Sequence, residues 1–445
     1  MSTLSETRRQ TVHIAMGGFA LLLRAIPWWQ AAILAALATL LNLFLLPRLG
    51  GLGLYRPVDI ARGYPLGAVL YSLAVLLLIV AFPHRPDIAA AAWGVMALGD
   101  GSATLVGHWI GGRRIPWNTE KTVAGTVAFV VIGSLGGVFL AWWARPAVVP
   151  MPPLAFTLAA PIAAAIAAAL VETIQVRLDD NISVPAVAAG VMATLSLVAA
   201  DAVWAAGPTV AGALPVALLL NVTVAIAGWK ARTVSTSGAI AGAIIGLIIY
   251  SGAGAGAWLL LVASFLAASA SSRIGLKRKQ VLGIAEEREG RRGAGNALAN
   301  CGLAALAAIL AVTTRHPQGA LFVLVVALVA GGSDTVASEV GKAWGGRTYL
   351  ITRWVRVPPG RPGAVSLEGT AAGIVAALGL AALGVVAGLM PASHLGSAVI
   401  GAAIGSVVES ALAATFEGPG VLNNDLLNFL NTLAAVSVAL AISGG

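Results

Sequence analysis

Charge, cysteine and histidine are scarce in this chain: charged residues make up 10% of 445 positions, with one cysteine and five histidines. The single Cys301 excludes an internal disulfide and any cysteine-based metal cluster, and within its apolar run it reads as a small buried hydrophobe. No second histidine stands at ligand spacing from His13 or His108, so both read as polar contacts rather than metal ligands. So little charge, with 58% hydrophobic residues and a mean hydropathy of +0.90, excludes an ordinary soluble globule. No small-residue cleavage site follows a short apolar core near the N-terminus, so the first apolar run reads as a retained span rather than a cleaved signal peptide.

What the chain has is length of apolar sequence. Runs at roughly 11–26, 28–47, 66–82, 87–100, 122–144, 152–172, 184–204, 209–227, 236–250, 255–272, 296–313, 318–333, 366–389, 395–414 and 424–443 predict about fifteen transmembrane helices. If the N-terminus with Arg8 and Arg9 is cytoplasmic, only Arg24, Arg85, Arg145 and Arg315 of the 27 Lys and Arg fall on the opposite side. The expectation is an integral protein of the cell membrane with N-in, C-out topology. The formal net charge of +9 is then mainly a topological signature. Its densest loops, 273–292 and 342–361, remain as possible anion sites, and nucleic acid is not an expected partner.

Two copies of one polar motif interrupt this background. Ala97-Leu-Gly-Asp100-Gly-Ser-Ala103, followed by Gly107 and Gly111-Gly112-Arg113, is matched by Gly331-Gly-Ser-Asp334-Thr-Val-Ala337, followed by Gly341 and Gly345-Gly346-Arg347. The order recurs further on, in Pro116-Trp-Asn-Thr119-Glu120-Lys121-Thr122-Val-Ala-Gly125-Thr126 and, after a longer and more basic loop, Val365-Ser366-Leu-Glu368-Gly369-Thr370, then in Glu172 and Glu409. It closes with Asp179-Asp180-Asn181 and Asn423-Asn424-Asp425. Spacing this constant predicts an all-α polytopic protein of two parallel, pseudo-repeated halves, 1–206 and 207–445, with a turn at Gly207-Pro208 between them. Eight predicted spans separate the two aspartates, so both motifs open on one side, unlike an inverted repeat.

An aspartate at the end of a membrane-length apolar run is unfavourable there and is a candidate functional residue by default. Asp100, Glu172, Asp179 and Asp180, with Asp334, Glu339, Glu368, Glu409 and Asp425, make up half of the chain's 18 acidic residues. Hard carboxylates beside glycine-rich and basic loops are what Mg²⁺ and a polyphosphate require. Phosphoryl transfer rests on positioning and electrostatics, so no covalent nucleophile is needed, and none is evident. The spacing points to Asp100, Lys121, Glu172, Asp334, Glu368 and Glu409 as catalytic residues, with metal held at Asp100, Asp180, Asp334 and Asp425. Gly107, Gly111, Gly112, Arg113, Gly341, Lys342 and Arg347 are candidates for nucleotide or phosphate contact. Gly107, Gly111, Gly341 and Gly345 also have small-xxx-small spacing, which helix packing explains equally well.

These motifs carry two resemblances. The first half resembles the polyprenol kinases, the group containing dolichol kinase and phytol kinase and distantly related to phosphatidate cytidylyltransferases. The match rests on Arg8-Arg9 with His13, on the Asp100 motif, on Glu120-Lys121-Thr122-Val-Ala-Gly125-Thr126, and on Glu172 with Asp179-Asp180-Asn181-Ile-Ser-Val-Pro185. Ala124 stands where those relatives usually carry an acidic residue. The second half resembles the family containing plant phytyl-phosphate kinase, through Lys230-Ala-Arg232, Arg291-Arg292 with Asn296 and Asn300, the Asp334 motif, Ser366-Leu-Glu368-Gly369-Thr370, and Asn423-Asn424-Asp425 with Asn428.

Together the resemblances imply a fused pair of consecutive steps, isoprenoid alcohol to monophosphate and monophosphate to diphosphate. The implied cofactor is Mg²⁺, and the implied donor is CTP, with UTP or ATP as alternatives. The resemblances also imply Thr122, Asn181, Lys230, Arg292, Asn300, Ser338 and Asn424 as nucleotide or phosphate contacts. Partners would be membrane lipid, the isoprenoid alcohol and phosphate, and the nucleoside triphosphate. A CTP-dependent lipid-phosphate cytidylyltransferase and a pseudo-symmetric transporter are the competing readings.

Overall fold

The computed structural model of the chain describes residues 3–48, 57–174, 178–284, 291–418 and 421–444. The fold is all-α, with only short strands, and among the described residues eleven helices are long and apolar enough to cross a bilayer. The chain divides into two compact units, Met1–Ser196 and Leu197–Gly445. The turn expected at Gly207-Pro208 is instead helical, inside the 31-residue helix Ala200–Lys230, and the run expected to continue to 204 ends with the helix Asp180–Ser196. Proline inside a membrane helix is tolerated because neighbouring groups and local adjustments satisfy the freed carbonyl, so Gly-Pro does not break the chain here.

In the first unit a central helix is enclosed by the others. It begins as Pro86–Gly94, with Pro86 at a first-turn position that needs no N–H, passes through a π-helical turn Val95–Asp100, and continues as Gly101–Ile110. Ala90, Ala91, Ala92, Val95, Met96 and Ala97 have no exposed surface. Small residues allow this enclosure: a Cβ added at Gly133 of the neighbouring helix Val123–Ala144 would lie 3.1 Å from the Gly99 Cα. Between these two helices the chain forms a hairpin, Arg114–Ile115 against Asn118–Thr122. The unit closes with Leu154–Glu172 and Asp180–Ser196.

The second unit also has an enclosed helix, Pro317–Trp344, in which every residue from Leu324 to Ala330 is fully buried. A three-stranded antiparallel sheet follows, with Thr348–Leu350 between Val355–Arg356 and Ala364–Ser366, and leads into the helix Leu367–Val386. Leu395–Leu412, extended by the π-helical turn Ala413–Glu417, and Asn424–Ser443 complete that side.

Thr236–Arg273 is helical on both sides of Gly254, whose φ of 80° breaks it. Asn221 Oδ1 accepts a hydrogen bond from Trp258 Nε1 at 3.0 Å and also lies against Gly246. Twelve residues of continuous helix would hold Gly246 and Trp258 about 18 Å apart, too far for one asparagine to meet both. The chain therefore turns back at Gly254, and the two expected runs, 236–250 and 255–272, are two neighbouring spans.

Candidate functional site

In the first unit, the enclosed helix delivers Asp100 at the end of its π-helical turn, a local widening that recurs at functional positions. Glu172 comes from the last turn of Leu154–Glu172 and Asp180 from the first turn of the next helix. One carboxylate oxygen of each of the three lies within 4.8 Å of the others. Lys121 Nζ, carried by the hairpin, sits 2.5 Å from Glu172 Oε1 and 3.1 Å from Asp180 Oδ2. Burial alone would lower the Lys121 ammonium, but the charges of Glu172 and then Asp180 more than offset it and hold it above the usual lysine range. The hairpin is fixed over this centre by Trp117 Nε1 donating to Thr173 Oγ1 and Asn118 Nδ2 donating to the Thr173 carbonyl, both at 3.2 Å.

His13 borders the trio, its Nε2 3.7 Å from Asp100 Oδ2, and Tyr71 packs edge-on against the His13 ring at 4.7 Å. Asn181 bonds to the Gly67 carbonyl and to Asp179 Oδ1, which places it in the support of the centre. Thr122 accepts from the Gly125 N–H at 3.1 Å and caps its helix. A Cβ at Gly107 would meet Thr122 Oγ1 at 3.0 Å, so close packing accounts for that glycine. Gly111 and Gly112 have φ of +62° and +93°, the left-handed region that the turn into the hairpin requires, and the Arg113 that follows is exposed.

The second unit places Asp334 against a cavity of about 270 Å³ lined also by Ser338, Lys342, Arg361, Glu409 and Asn424. Gly341 lines it too, and a Cβ there would lie 3.2 Å from Ser366 Oγ, which itself accepts from the Gly369 N–H at 3.1 Å. Ser406 Oγ donates to Asp334 Oδ1 at 2.6 Å. Lys342 reaches Glu339 Oε1 at 2.9 Å, and Glu339 is also paired with buried Lys279 at 2.5 Å. Glu339 is therefore a neutralised internal charge rather than part of the cavity wall.

Several expected residues are not brought to this cavity. Glu368 is exposed and accepts from the Gly346 N–H at 3.1 Å, which makes it a brace for the turn that holds exposed Arg347. The Asp425 carboxylate lies against Gly295 and does not line the cavity, so Asp334 and Asp425 are not shown as one ligand pair. Arg292 and Asn300 line a different, largely apolar cavity with Asn221 and Trp258, and Lys230 is exposed at the end of its helix. Conversely, sequence reasoning passed over Ser406 and Glu417, which line the second cavity, and Tyr71, which packs on His13. Ser406 stands three residues before Glu409, on the same helix face, and that spacing is the signal that could have found it.

Both clusters are sets of oxygen donors with a lysine beside them, at the ends of membrane-length helices. Residues 219–436 match the family described as integral membrane protein DUF92. An uncharacterized membrane protein of Synechocystis is 39% identical over 202 residues, which cover 45% of this chain and 78% of that protein. The chain belongs to the DUF92 family of integral membrane proteins. Protein VTE6 of Arabidopsis thaliana is 34% identical over 215 residues, 46% of this chain and 64% of that protein. A soybean protein named probable phytol kinase 1 is 28% identical over 131 residues, 29% of this chain and 42% of its own length. The chain thus spans less than two thirds of VTE6 and less than half of that phytol kinase. No solved structure matches it.

Proposed function

We propose that this member of the DUF92 family is a bifunctional Mg²⁺-dependent isoprenoid kinase, with the first unit phosphorylating an isoprenoid alcohol and the second converting the monophosphate to the diphosphate. The observation that carries the reading is the Asp100, Glu172 and Asp180 trio, with oxygens within 4.8 Å of one another and Lys121 bridging two of them. Hard carboxylate oxygens at this separation suit Mg²⁺, which when bound offsets the charge of the transferred phosphoryl group. Asp100, Glu172 and Asp180 would hold the ion, and Lys121 would turn from its carboxylates toward an incoming phosphate. In the second unit Asp334 and Glu409 would take the holding role.

The two linings differ in a way that suits two acceptors. An alcohol brings no charge, whereas a phosphomonoester brings about two negative charges of its own. The second cavity has Lys342 and Arg361 in its wall to meet that extra charge. The shared order of helix, glycine, hydroxyl cap and glycine in Gly107, Thr122, Gly125 and Gly341, Ser366, Gly369 supports descent of the two units from one repeat. The kinship with proteins named phytol kinase supports the isoprenoid acceptor, and CTP is our proposed donor, with both sites facing the cytoplasm.

The test is to incubate the purified full chain with Mg²⁺, each of the four nucleoside triphosphates in turn, and phytol, geranylgeraniol or their monophosphates, then to weigh the lipid products. Monophosphate from alcohol and diphosphate from monophosphate, with release of nucleoside diphosphate, is the expected result. A nucleotidyl lipid with release of pyrophosphate would replace the kinase reading with cytidylyl transfer. Absence of any lipid product with every donor would overturn both.

A further inference from the structure

An apolar slot in the first unit opens on its exposed apolar surface and ends at Tyr71, beside the His13 that borders the acidic trio. It runs between the 3₁₀ segment Gly17–Arg24, the helix Trp28–Leu40 and the helix Leu66–Ala81. Ala31, Ala35 and Ala38 form one face of it, spaced four and three residues apart, so small side chains keep the space open. Phe19, Leu22 and Leu34 are exposed along its side, so a hydrocarbon chain can enter laterally without crossing water. Eight residues of helix separate Tyr71 from Ile79 along its length, about 12 Å.

The slot has chemically different ends. Ile26 and Ile79 stand at one, and Tyr71 with Ser72 at the other. The Tyr71 hydroxyl accepts from Trp93 Nε1 at 2.8 Å and donates to the His13 carbonyl at 3.3 Å. His13 packs on the Tyr71 ring and, through Nε2, stands 3.7 Å from Asp100. A continuous series of contacts therefore joins the polar end of the slot to the trio: Tyr71, His13, Asp100.

We propose that this slot binds the isoprenoid tail of the alcohol substrate, with its hydroxyl end directed past Tyr71 and His13 toward Asp100. The inference rests on the kinase reading for its occupant. An alkyl chain with a single small polar terminus fits a lining that is apolar except at the end nearest the carboxylates. A phospholipid acyl chain would share the apolar contacts, but the end beside Tyr71 and His13 suits a small hydroxyl better than a bulky headgroup. Tyr71 acts here as a positioning residue, since it meets the acidic centre only through His13.

The experiment uses the full chain in phosphatidylcholine nanodiscs with a geranylgeraniol analogue that carries a diazirine on its tail. Photolabel is expected on residues 16–38 and 71–79, displaced by unlabelled geranylgeraniol and not by excess phosphatidylcholine. Ala38→Phe fills the polar half of the slot from a half-buried position and should weaken that labelling about ten-fold at sub-saturating probe. It should also raise KM for the alcohol by on the order of ten-fold, the worth of one or two buried methylenes, with conversion of supplied monophosphate unchanged as the folding control. Displaceable labelling at the slot without phosphorylation of any alcohol would keep the slot and defeat the kinase reading. Phosphorylation with unaltered KM in Ala38→Phe, or labelling that phosphatidylcholine displaces equally, would overturn the slot and leave the kinase reading intact. Loss of monophosphate conversion in Ala38→Phe shifts the test to Ala38→Leu, for which the same KM criterion decides.

Discussion

Ser406 Oγ donates to Asp334 Oδ1 at 2.6 Å, joining the helix Leu395–Leu412 to the enclosed helix Pro317–Trp344 at the second cavity. A hydrogen bond to a charged buried group is worth about 1.5–3 kcal/mol, and losing it also frees the Asp334 carboxylate to rotate. Ser406→Ala should lower monophosphate conversion by on the order of ten- to one-hundred-fold, while Ser406→Thr keeps most of it. Equal rates for wild type and Ser406→Ala would show that Asp334 does not need this anchor.

Division of labour between the units is tested by two neutral isosteres. Asp100→Asn should reduce alcohol phosphorylation by about a hundred-fold or more while supplied monophosphate still becomes diphosphate. Asp334→Asn should do the reverse and accumulate monophosphate. Product masses from the two variants decide it: loss of both steps from either substitution in a folded protein means one composite site.

Lys121 gives a pH test. Its ammonium is held above the usual lysine range by Glu172 and Asp180 against the effect of burial. A lysine whose value is raised in the fold contributes stability that is complete below its unfolded value and is lost only as pH rises through the folded one. The difference in thermal midpoint between wild type and Lys121→Met should therefore not shrink between about pH 7.5 and about pH 9.5, below the ordinary lysine value. A difference that shrinks within that window would contradict the pairing.

Gly107 and Gly112 separate packing from phosphate contact. A Cβ at Gly107 would press on Thr122 Oγ1 at 3.0 Å, so Gly107→Ala should destabilise by about 1–3 kcal/mol, as overpacking does. At Gly112 a Cβ meets nothing within 4 Å, and the strain comes from its φ of +93°, about 1–2 kcal/mol. Unfolding temperatures should fall in both, with KM for nucleotide unchanged in Gly107→Ala. A large KM increase at undiminished stability would make Gly107 a phosphate contact instead.

The Lys279–Glu339 pair is enclosed, with side chains 1% and 2% exposed, and Lys342 shares Glu339. Removing one partner leaves an uncompensated buried charge, so Glu339→Gln should destabilise by about 3–5 kcal/mol. The double substitution Lys279→Met with Glu339→Leu should recover part of that. Thermal unfolding of the three variants settles the matter, and a double variant worse than Glu339→Gln would contradict the argument.

Most of the helices were legible because uninterrupted apolar sequence has one inexpensive structure in a bilayer, the helix, though run 11–26 passes from α-helix into a 3₁₀ segment and 184–204 stops at Ser196. The first acidic centre was legible because Asp100, Glu172 and Asp180 are polar interruptions at run ends, where burial demands a reason. The second was legible only in part. Glu368 and Asp425 have the same sequence character as Asp334, but one braces a turn and the other meets Gly295, and only tertiary contacts separate those outcomes. Ser406 and Tyr71 were hidden for the opposite reason, as single modest polar groups within apolar runs. Gly207-Pro208 misled because a turn signal from water-soluble proteins carries less weight in lipid.

Asp100, Glu172 and Asp180 converge in space but leave the ribosome in that order, on three separate helices. While the chain is being made, Asp100 therefore enters the translocon with no partner carboxylate and no Lys121 ammonium beside it. An isolated aspartate at a helix centre opposes insertion by about 2.5–3.5 kcal/mol, and the alanine-rich turns before it must carry the helix in. The acidic centre is thus completed after insertion rather than during it, so a nascent chain halted before Leu154 should hold the Asp100 helix in the bilayer less firmly than the finished protein does.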